Sequence, residues 1–426
     1  MEQTPKYLVC VDGDFGEQGH NKFYKMTPDG TGGFLAEWGR VGGSTSSKTY
    51  PMSKWSSTYS SKLKKGYVDR SHLMTDIIED SKVENKSEGK DAFSVIKNIS
   101  VREIIKRLFD YSNKVIQSSY RVTSEQVTQA MVDEAQRYID YLSNNYTQIS
   151  LSDFNEYLNK IFITIPRKMR SVKDYLAKKN DDFANIIQRE QDLLDTMRGQ
   201  VYKKAPKVEA IEEDTPIVEE VSILDKMGIT MEDATDADVE KIKKAMGDAS
   251  NKFYKAWRVT NKETEENYQK FVKENNIGNV KLTCHGSRNQ NWFNILKTGL
   301  KIRPAGAILT GSLFGYGLYY SNPDLWHGVA KSIGYTSLGG YWTQDYQNCG
   351  FIAFFETALG DSYDVYSFGN EYNTFDLKKL KNKNPNAWHL WAHGQGHRNN
   401  GSTLINDEII VYDDRQTTIR YLVEIR

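Results

Sequence analysis

Leu282-Thr283-Cys284-His285-Gly286-Ser287-Arg288 is the stretch on which the reading of this chain turns. Apolar residues run straight into a glycine, so Leu282 to Cys284 reads as the end of a short strand with His285 at its mouth. Gly286 removes a side chain where a ligand could lie against bare backbone. Ser287 and Arg288 add a hydroxyl and a fixed cation. Taken alone, such a histidine is more often structural than catalytic. Three later stretches change its weight: Phe314-Gly315-Tyr316-Gly317-Leu318-Tyr319-Tyr320, Lys331-Ser332-Ile333-Gly334-Tyr335 and Asn406-Asp407-Glu408-Ile409-Ile410-Val411-Tyr412. In the last, a carboxylate heads an apolar run, where it is costly unless it has a use.

In that order and at those spacings, the four stretches resemble the catalytic domain of the poly(ADP-ribose) polymerases. The resemblance covers roughly the last 180 residues. It implies an ADP-ribosyltransferase fold with the family's His-Tyr-Glu triad at His285, Tyr319 and Glu408. It further implies that NAD is consumed as a substrate, with no cofactor and no metal. The Gly286 backbone and the Ser332 hydroxyl would hold the carboxamide, and Tyr335 would stack on the nicotinamide ring. Ser287, Arg288, Asn291 and residues 299–303, Arg303 included, would line the adenosine end. Tyr320 and Lys331 complete the expected NAD contacts. One departure stands out: residues 321–328 make the loop between Tyr319 and Lys331 longer than the family's usual spacing.

Upstream, residues 1–80 read as a small β-rich domain. Tyr7-Leu8-Val9-Cys10-Val11, Asn21-Lys22-Phe23-Tyr24-Lys25-Met26 and Phe34-Leu35-Ala36-Glu37-Trp38 are strand candidates separated by Gly/Asp/Pro clusters. Between residues 37 and 70 stand Arg40, Lys48, Lys54, Lys62, Lys64, Lys65 and Arg70, against only Glu37 and Asp69. Without context Trp38 reads as core and the lysines as a solvated face. With Trp38-Gly39-Arg40 at its centre, the stretch resembles a WGR domain, which implies contact with DNA ends and breaks through Trp38, Arg40, Lys64 and Lys65. Arg40 would meet phosphate or the neighbouring domain.

Polar residues 81–97 read as a linker. A helical block follows over 98–200. Ser100-x-x-Glu103 reads as a capping box, Thr123-x-x-Gln126 as the start of a second helix, and Ser171-x-x-Asp174 as a further helix start. Apolar residues such as Phe154, Leu158, Ile161 and Phe162 recur at helical spacing. The block resembles the family's regulatory helical domain, which implies that Asp195 of its last helix faces the NAD site. Periodicity alone reads equally as a plain bundle. Residues 201–236 form an acidic connector, and the transferase occupies 237–426, with a helix near 237–245 and a strand near 251–260. The fold class expected is multidomain α+β: a β-rich domain, an all-α bundle and a mixed domain with a split antiparallel sheet.

Composition sets the outer limits. The 426 residues suit two to four domains, and a hydrophobic fraction of 38% supports packed cores. The net charge is zero, so nucleic acid would have to bind a local patch. Cys10, Cys284 and Cys349 are far apart, which argues against a disulfide framework or zinc ribbon and for a reducing compartment. The start lacks a signal-peptide pattern and no apolar run reaches membrane-spanning length. The expectation is a soluble, intracellular protein, nuclear if eukaryotic. Gly30-x-Gly32 and Gly315-x-Gly317 lack the third glycine of a dinucleotide-binding turn. His389, His393 and His397 have a helical metal-site spacing, but Gly394 and Gly396 oppose a helix, so no metal is expected. The resemblance implies partners of three kinds: NAD, broken or nicked DNA, and protein acceptors including the chain itself. An accessory protein that completes the acceptor site would be a fourth. The alternatives are a mono-ADP-ribosyltransferase and a catalytically silent scaffold that binds DNA ends.

Overall fold

The computed structural model describes residues 3–13, 17–41, 43–71, 92–122, 124, 127–201, 221–302, 313–324, 328–340, 345–396 and 400–426. They fall into two compact units. One holds the residues before 72 with 113–201, and the other holds 92–112 with 221–426. The division falls inside a single helix, Ile99–Ser119.

In the first unit, β1 (Lys6–Asp12), β2 (His20–Pro28), β3 (Gly33–Arg40), β4 (Thr45–Pro51) and β5 (Val68–Asp69) form an antiparallel sheet of order β4-β3-β2-β1-β5. Side chains alternate along a strand, and β1 uses both faces. Leu8 joins Tyr24, Met26, Phe34, Ala36 and Trp55 in one core. Val9 and Val11 join a second core with Ile116, Met131, Phe154, Phe183 and Leu194 of the helices. Trp55 opens the helix Trp55–Lys64 and plugs it to the sheet, its ring edge-on to Phe34 at 5.1 Å. The helices Gln129–Asn145 and Leu151–Thr164 start at Thr128 and Ser150, whose hydroxyls accept from Met131 and Asp153 N–H. Phe154 and Phe183 stack at 3.8 Å and tie Leu151–Thr164 to the last helix, Phe183–Gln200.

Two local expectations fail here. The long helix is capped by the Asn98 side chain, which accepts from Val101 N–H; Ser100 lies inside it and donates to Asp233. The stretch after Ser171 makes one 3-10 turn, Val172–Asp174, without a side-chain cap, and Val172 N–H is taken by the Gln18 carbonyl at 2.9 Å. Positions 123 and 126 lie outside the described residues.

The second unit carries β6 (Ile229–Asp233), β7 (Phe253–Asn261), β8 (Val280–Ser287), β9 (Leu318–Tyr320), β10 (Gly350–Ala358), β11 (Asp361–Val365), β12 (Ala387–Ala392), β13 (Glu408–Val411) and β14 (Thr417–Ile425). They form two sheets, β6-β7-β14-β10-β8 and β11-β12-β13-β9. The first is antiparallel throughout. The second is not: β11 and β12 run parallel, joined by a crossover containing the helix Leu377–Lys383. Central β10 is buried along nearly its whole length, as a strand paired on both sides and covered on both faces must be. The sheets meet where Cys284 of β8 exchanges both backbone bonds with Ser321, just after β9, at 3.0 and 2.8 Å. The N-terminal half of Ile99–Ser119 belongs to this unit. Its Arg107 pairs with buried Glu424, Phe109 meets Phe293, and Ser100 accepts from the Trp257 indole. No helix among the described residues is long and apolar enough to cross a membrane.

Candidate active site

The junction of the two sheets gathers the residues singled out above. Strand β8 runs on through Ser287, so His285 lies within it rather than at its mouth. Its Nδ1 is 3.0 Å from the Tyr319 carbonyl. A carbonyl only accepts, so Nδ1 carries the proton and Nε2 is left as an acceptor. Burial holds the imidazole below its usual value, opposed by that carbonyl. His285 is therefore a neutral ring that offers a lone pair, which suits it to take a hydroxyl proton in a hydrogen bond.

Gly286 has a different reason from the one its sequence suggests. A Cβ there would sit 1.8 Å from the Ser332 carbonyl oxygen, so the glycine admits the backbone of the helix Ala330–Gly334. The backbone polar groups of Gly286 are another matter. Cys284 directs its N–H and C=O away from β10 to Ser321, and residues two apart on a strand point the same way. Those of Gly286 thus also point away from β10. Buried Ser332 donates to the Cys284 carbonyl at 3.0 Å and lies 2.7 Å from the Ser321 hydroxyl. The Cys284 carbonyl also takes Ser321 N–H, so Ser332 can turn its proton to a ligand without leaving that carbonyl unpaired.

The Tyr319 hydroxyl donates to the Gly315 carbonyl and accepts from Phe314 N–H, both at 2.9 Å. Gly315 has φ 76°, and a side chain would strike the Phe375 backbone, so only glycine makes this turn. Tyr335 is half-buried just beyond the helix Ala330–Gly334, and burial pushes its phenol up. Tyr320, expected at NAD, is instead buried behind His285. Its ring lies 6.1 Å from the imidazole, tilted 69°, and its hydroxyl donates to Thr417.

Glu408 heads β13 and is 9% exposed. One carboxylate oxygen pairs with the Lys331 ammonium; the other, Oε2, is buried without a partner among the described residues. Lys331 was expected to touch NAD, and the structure gives it to Glu408. Burial pushes its ammonium down, to about 7, while the carboxylate against it acts the other way. A buried carboxylate oxygen with nothing to accept from is rare in a folded protein and marks a place for a donor.

Where β8 ends, Asn291 donates to the Ser287 hydroxyl at 3.0 Å, and Arg288 is half-buried. Gly299, Leu300 and Lys301 line a cavity with Phe355, Asp414 and Thr417. Phe355 pairs with Thr283, two residues before His285, so this cavity opens on the sheet face that carries His285. Arg303 lies outside the described residues. Asn289 was missed: its buried side chain ties the loop after β8 to Gln347 and to the Cys349 carbonyl. Nothing in the motif announces it except an amide next to the expected contacts. His389 and His393 pair with the Leu359 carbonyl and Asp364, and His397 lies outside the described residues. Among the described residues no three His, Cys, Asp or Glu converge for a metal.

Residues 236–426 match the poly(ADP-ribose) polymerase catalytic domain. The chain belongs to the poly(ADP-ribose) polymerase family. Within it, the chain is an NAD+ ADP-ribosyltransferase. It is 30% identical over 187 residues to Uncharacterized protein 101L of Invertebrate iridescent virus 6, covering 44% of this chain and 75% of that one. The putative poly(ADP-ribose) polymerase-like 100L of the same virus is 29% identical over 178 residues, 41% of this chain and 87% of that one. Poly(ADP-ribose) polymerase 1 of Danio rerio is 26% identical over 332 residues. That alignment takes in 74% of this chain and 30% of the fish protein, so the chain spans under a third of that relative.

The first unit holds the remaining candidates. Trp38 is half-buried, stacked on Tyr24 at 5.8 Å, whose other contact is the Lys62 ammonium 3.7 Å from the ring centre. Arg40 is partly exposed, but its guanidinium is already engaged. Its guanidinium donates to the carbonyls of Gly19, Gln18 and Arg170 at 3.2, 3.3 and 2.6 Å. Lys64 and Lys65 are exposed at the end of the helix Trp55–Lys64, with Lys48 exposed on β4. Asp195 accepts from Gln191 and Arg198 on its own helix, Phe183–Gln200.

Proposed function

We propose that the chain transfers ADP-ribose from NAD to protein acceptors, extends the product into poly(ADP-ribose), and is switched on by broken DNA. The observation that carries the elongation is Glu408, a buried carboxylate with one oxygen held by Lys331 and the other open. The bond between nicotinamide and ribose breaks with its electron pair leaving on nicotinamide, and the ribose carbon becomes cationic. Glu408 Oε2 would accept from the nicotinamide-ribose hydroxyl and then take the proton of the attacking acceptor hydroxyl. His285 Nε2 would accept from a further ribose hydroxyl. The Gly286 backbone and the Ser332 hydroxyl would clamp the carboxamide while Tyr335 lies on the ring. Lys331 would keep the carboxylate ionised and in place. Arg288, Asn291 and the cavity at Gly299 and Lys301 would take the adenosine end.

The DNA part of the proposal rests on the first 80 or so residues as a WGR domain, on residues 98–200 as a regulatory helical block, and on residues 237–426 as the transferase. The alignment to the fish polymerase supports this layout, since 332 aligned residues exceed what residues 236–426 can hold. So does the bonding within the first unit, where Arg40 and Asn21 both reach the backbone between helices Leu151–Thr164 and Phe183–Gln200. A helical block that disfavours NAD binding by a few kcal/mol leaves the competent state at the per-cent level until DNA shifts it. The test is turnover of labelled NAD by the full chain with and without nicked DNA, with products sized on a gel. DNA-dependent polymer is expected. A single addition would mean a mono-ADP-ribosyltransferase, and equal rates without DNA would remove the switch.

A further inference from the structure

We propose that Tyr320 is a positioning residue for His285, locked in place by a chain of buried hydroxyls through Thr417, Thr357 and Thr283. The catalytic consequence rests on His285 acting as proposed above; the geometry does not.

The chain is continuous. Tyr320 Oη donates to Thr417 Oγ1 at 3.1 Å, Thr417 lies 3.1 Å from Thr357 Oγ1, and Thr357 lies 2.8 Å from Thr283 Oγ1. Thr283 reaches the Phe355 carbonyl at 3.5 Å. Each hydroxyl has one proton, and the far end is a carbonyl that only accepts, so the protons run one way from Tyr320 to Phe355. The four residues are 2, 4, 0 and 0% exposed, so water does not compete. The chain crosses β14, β10 and β8 of one sheet and holds a residue of the other.

His285 needs this support because its partner stands on a weak element. The Tyr319 carbonyl fixes which imidazole nitrogen carries the proton, yet β9 is three residues long and lies at its sheet's edge. Two anchors directly follow that carbonyl in the chain. Ser321 exchanges backbone bonds with Cys284, and the Tyr320 ring, edge-on to His285, is pinned through its hydroxyl. Without the second anchor the carbonyl is free to drift, and a neutral imidazole in water prefers its proton on Nε2. That tautomer offers a donor where the ribose hydroxyl needs an acceptor.

Either end of the chain can be cut. Thr417→Val strands the phenol proton in a buried setting and displaces the ring. Tyr320→Phe removes the hydroxyl that pins the ring and leaves the threonines paired with one another. The experiment uses the full chain labelled with 15N-histidine, the His285 signal being identified by its loss in His285→Gln, together with kcat/KM for NAD. The parent should show His285 protonated at Nδ1. Thr417→Val should mix in the Nε2–H form and lower kcat/KM about tenfold, the worth of one misplaced hydrogen bond. Tyr320→Phe should do the same, the double variant should be no worse than Thr417→Val because both cut one link, and Thr417→Ser should resemble the parent. The proposal is overturned if Thr417→Val keeps the parent tautomer, or if the two losses add in the double variant. Should Thr417→Val not fold, Tyr320→Phe decides: a tautomer and kcat/KM unchanged from the parent overturn it. A tautomer shift in Thr417→Val, with the parent chain itself failing to turn over NAD, would keep the positioning role and remove the proposed function.

Discussion

The transferase site and the first sheet present two sets of motif residues, and they differ in what their polar atoms already hold. At the site, Glu408 Oε2 has no partner among the described residues, and His285 spends Nδ1 on the Tyr319 carbonyl, which makes Nε2 an acceptor. In the first sheet, both terminal nitrogens of Arg40 are taken by three carbonyls, only its buried Nε lacking a partner among the described residues, and Trp38 is stacked on Tyr24. A motif residue can thus be characteristic of a domain because it builds the domain. The capacity to bind a ligand lies where bonding is left over. In the first sheet that means the exposed Lys48, Lys64 and Lys65 rather than Arg40.

The comparison can be broken at either end. The largest expected effect is at Glu408. Glu408→Gln keeps the shape and removes the proton acceptor, so nicotinamide release should slow by roughly 10² to 10⁴ while NAD affinity changes little. A rate within a few-fold of the parent would leave Oε2 without a role. Gly286→Ala comes next. Its Cβ meets the Ser332 carbonyl, and relieving that overlap should cost about 1–3 kcal/mol, read as a lower denaturation midpoint at unchanged m. An unchanged midpoint would show that the helix Ala330–Gly334 gives way freely.

Arg40→Ala removes three charge-assisted bonds from a partly exposed site, for a loss of about 1–2 kcal/mol in stability. It should alter the salt dependence of DNA binding less than Lys64→Ala or Lys65→Ala, each of which should reduce the slope by about 0.9. The reverse ranking would put phosphate on Arg40 and overturn the distinction between the two regions. The smallest effect concerns acid. Burial holds His285 below its usual 6.5, so as pH falls the unfolded chain takes up this proton first. The stability contribution is complete above about 6.5 and is lost as pH drops through the folded value. His285→Gln should therefore show a shallower loss of stability between about pH 7 and about pH 5 than the parent.

Much of this was legible because it is local. The apolar run from Leu8 to Val11 gives β1, and the periodicity of Phe154, Leu158, Ile161 and Phe162 gives a helix. The order of the four motifs gives the catalytic domain. What stayed hidden depends on partners distant in sequence. Lys331 and Glu408 are 77 residues apart, and only the pairing of β13 with β9 brings the carboxylate near the helix Ala330–Gly334. Gly286 looked like room for a ligand because nothing local says that Ser332 fills the space. Ser100 looked like a cap because the competing demand, an indole and a carboxylate more than 130 residues away, is invisible in a four-residue window. The parallel pairing of β11 and β12 likewise follows from the crossover between them, which no strand pattern encodes.

The most direct test sizes the products formed from labelled NAD with nicked DNA present, for the parent and for Glu408→Gln at equal NAD occupancy. The account predicts long polymer from the parent and at most single additions from Glu408→Gln. Long polymer from Glu408→Gln would contradict it.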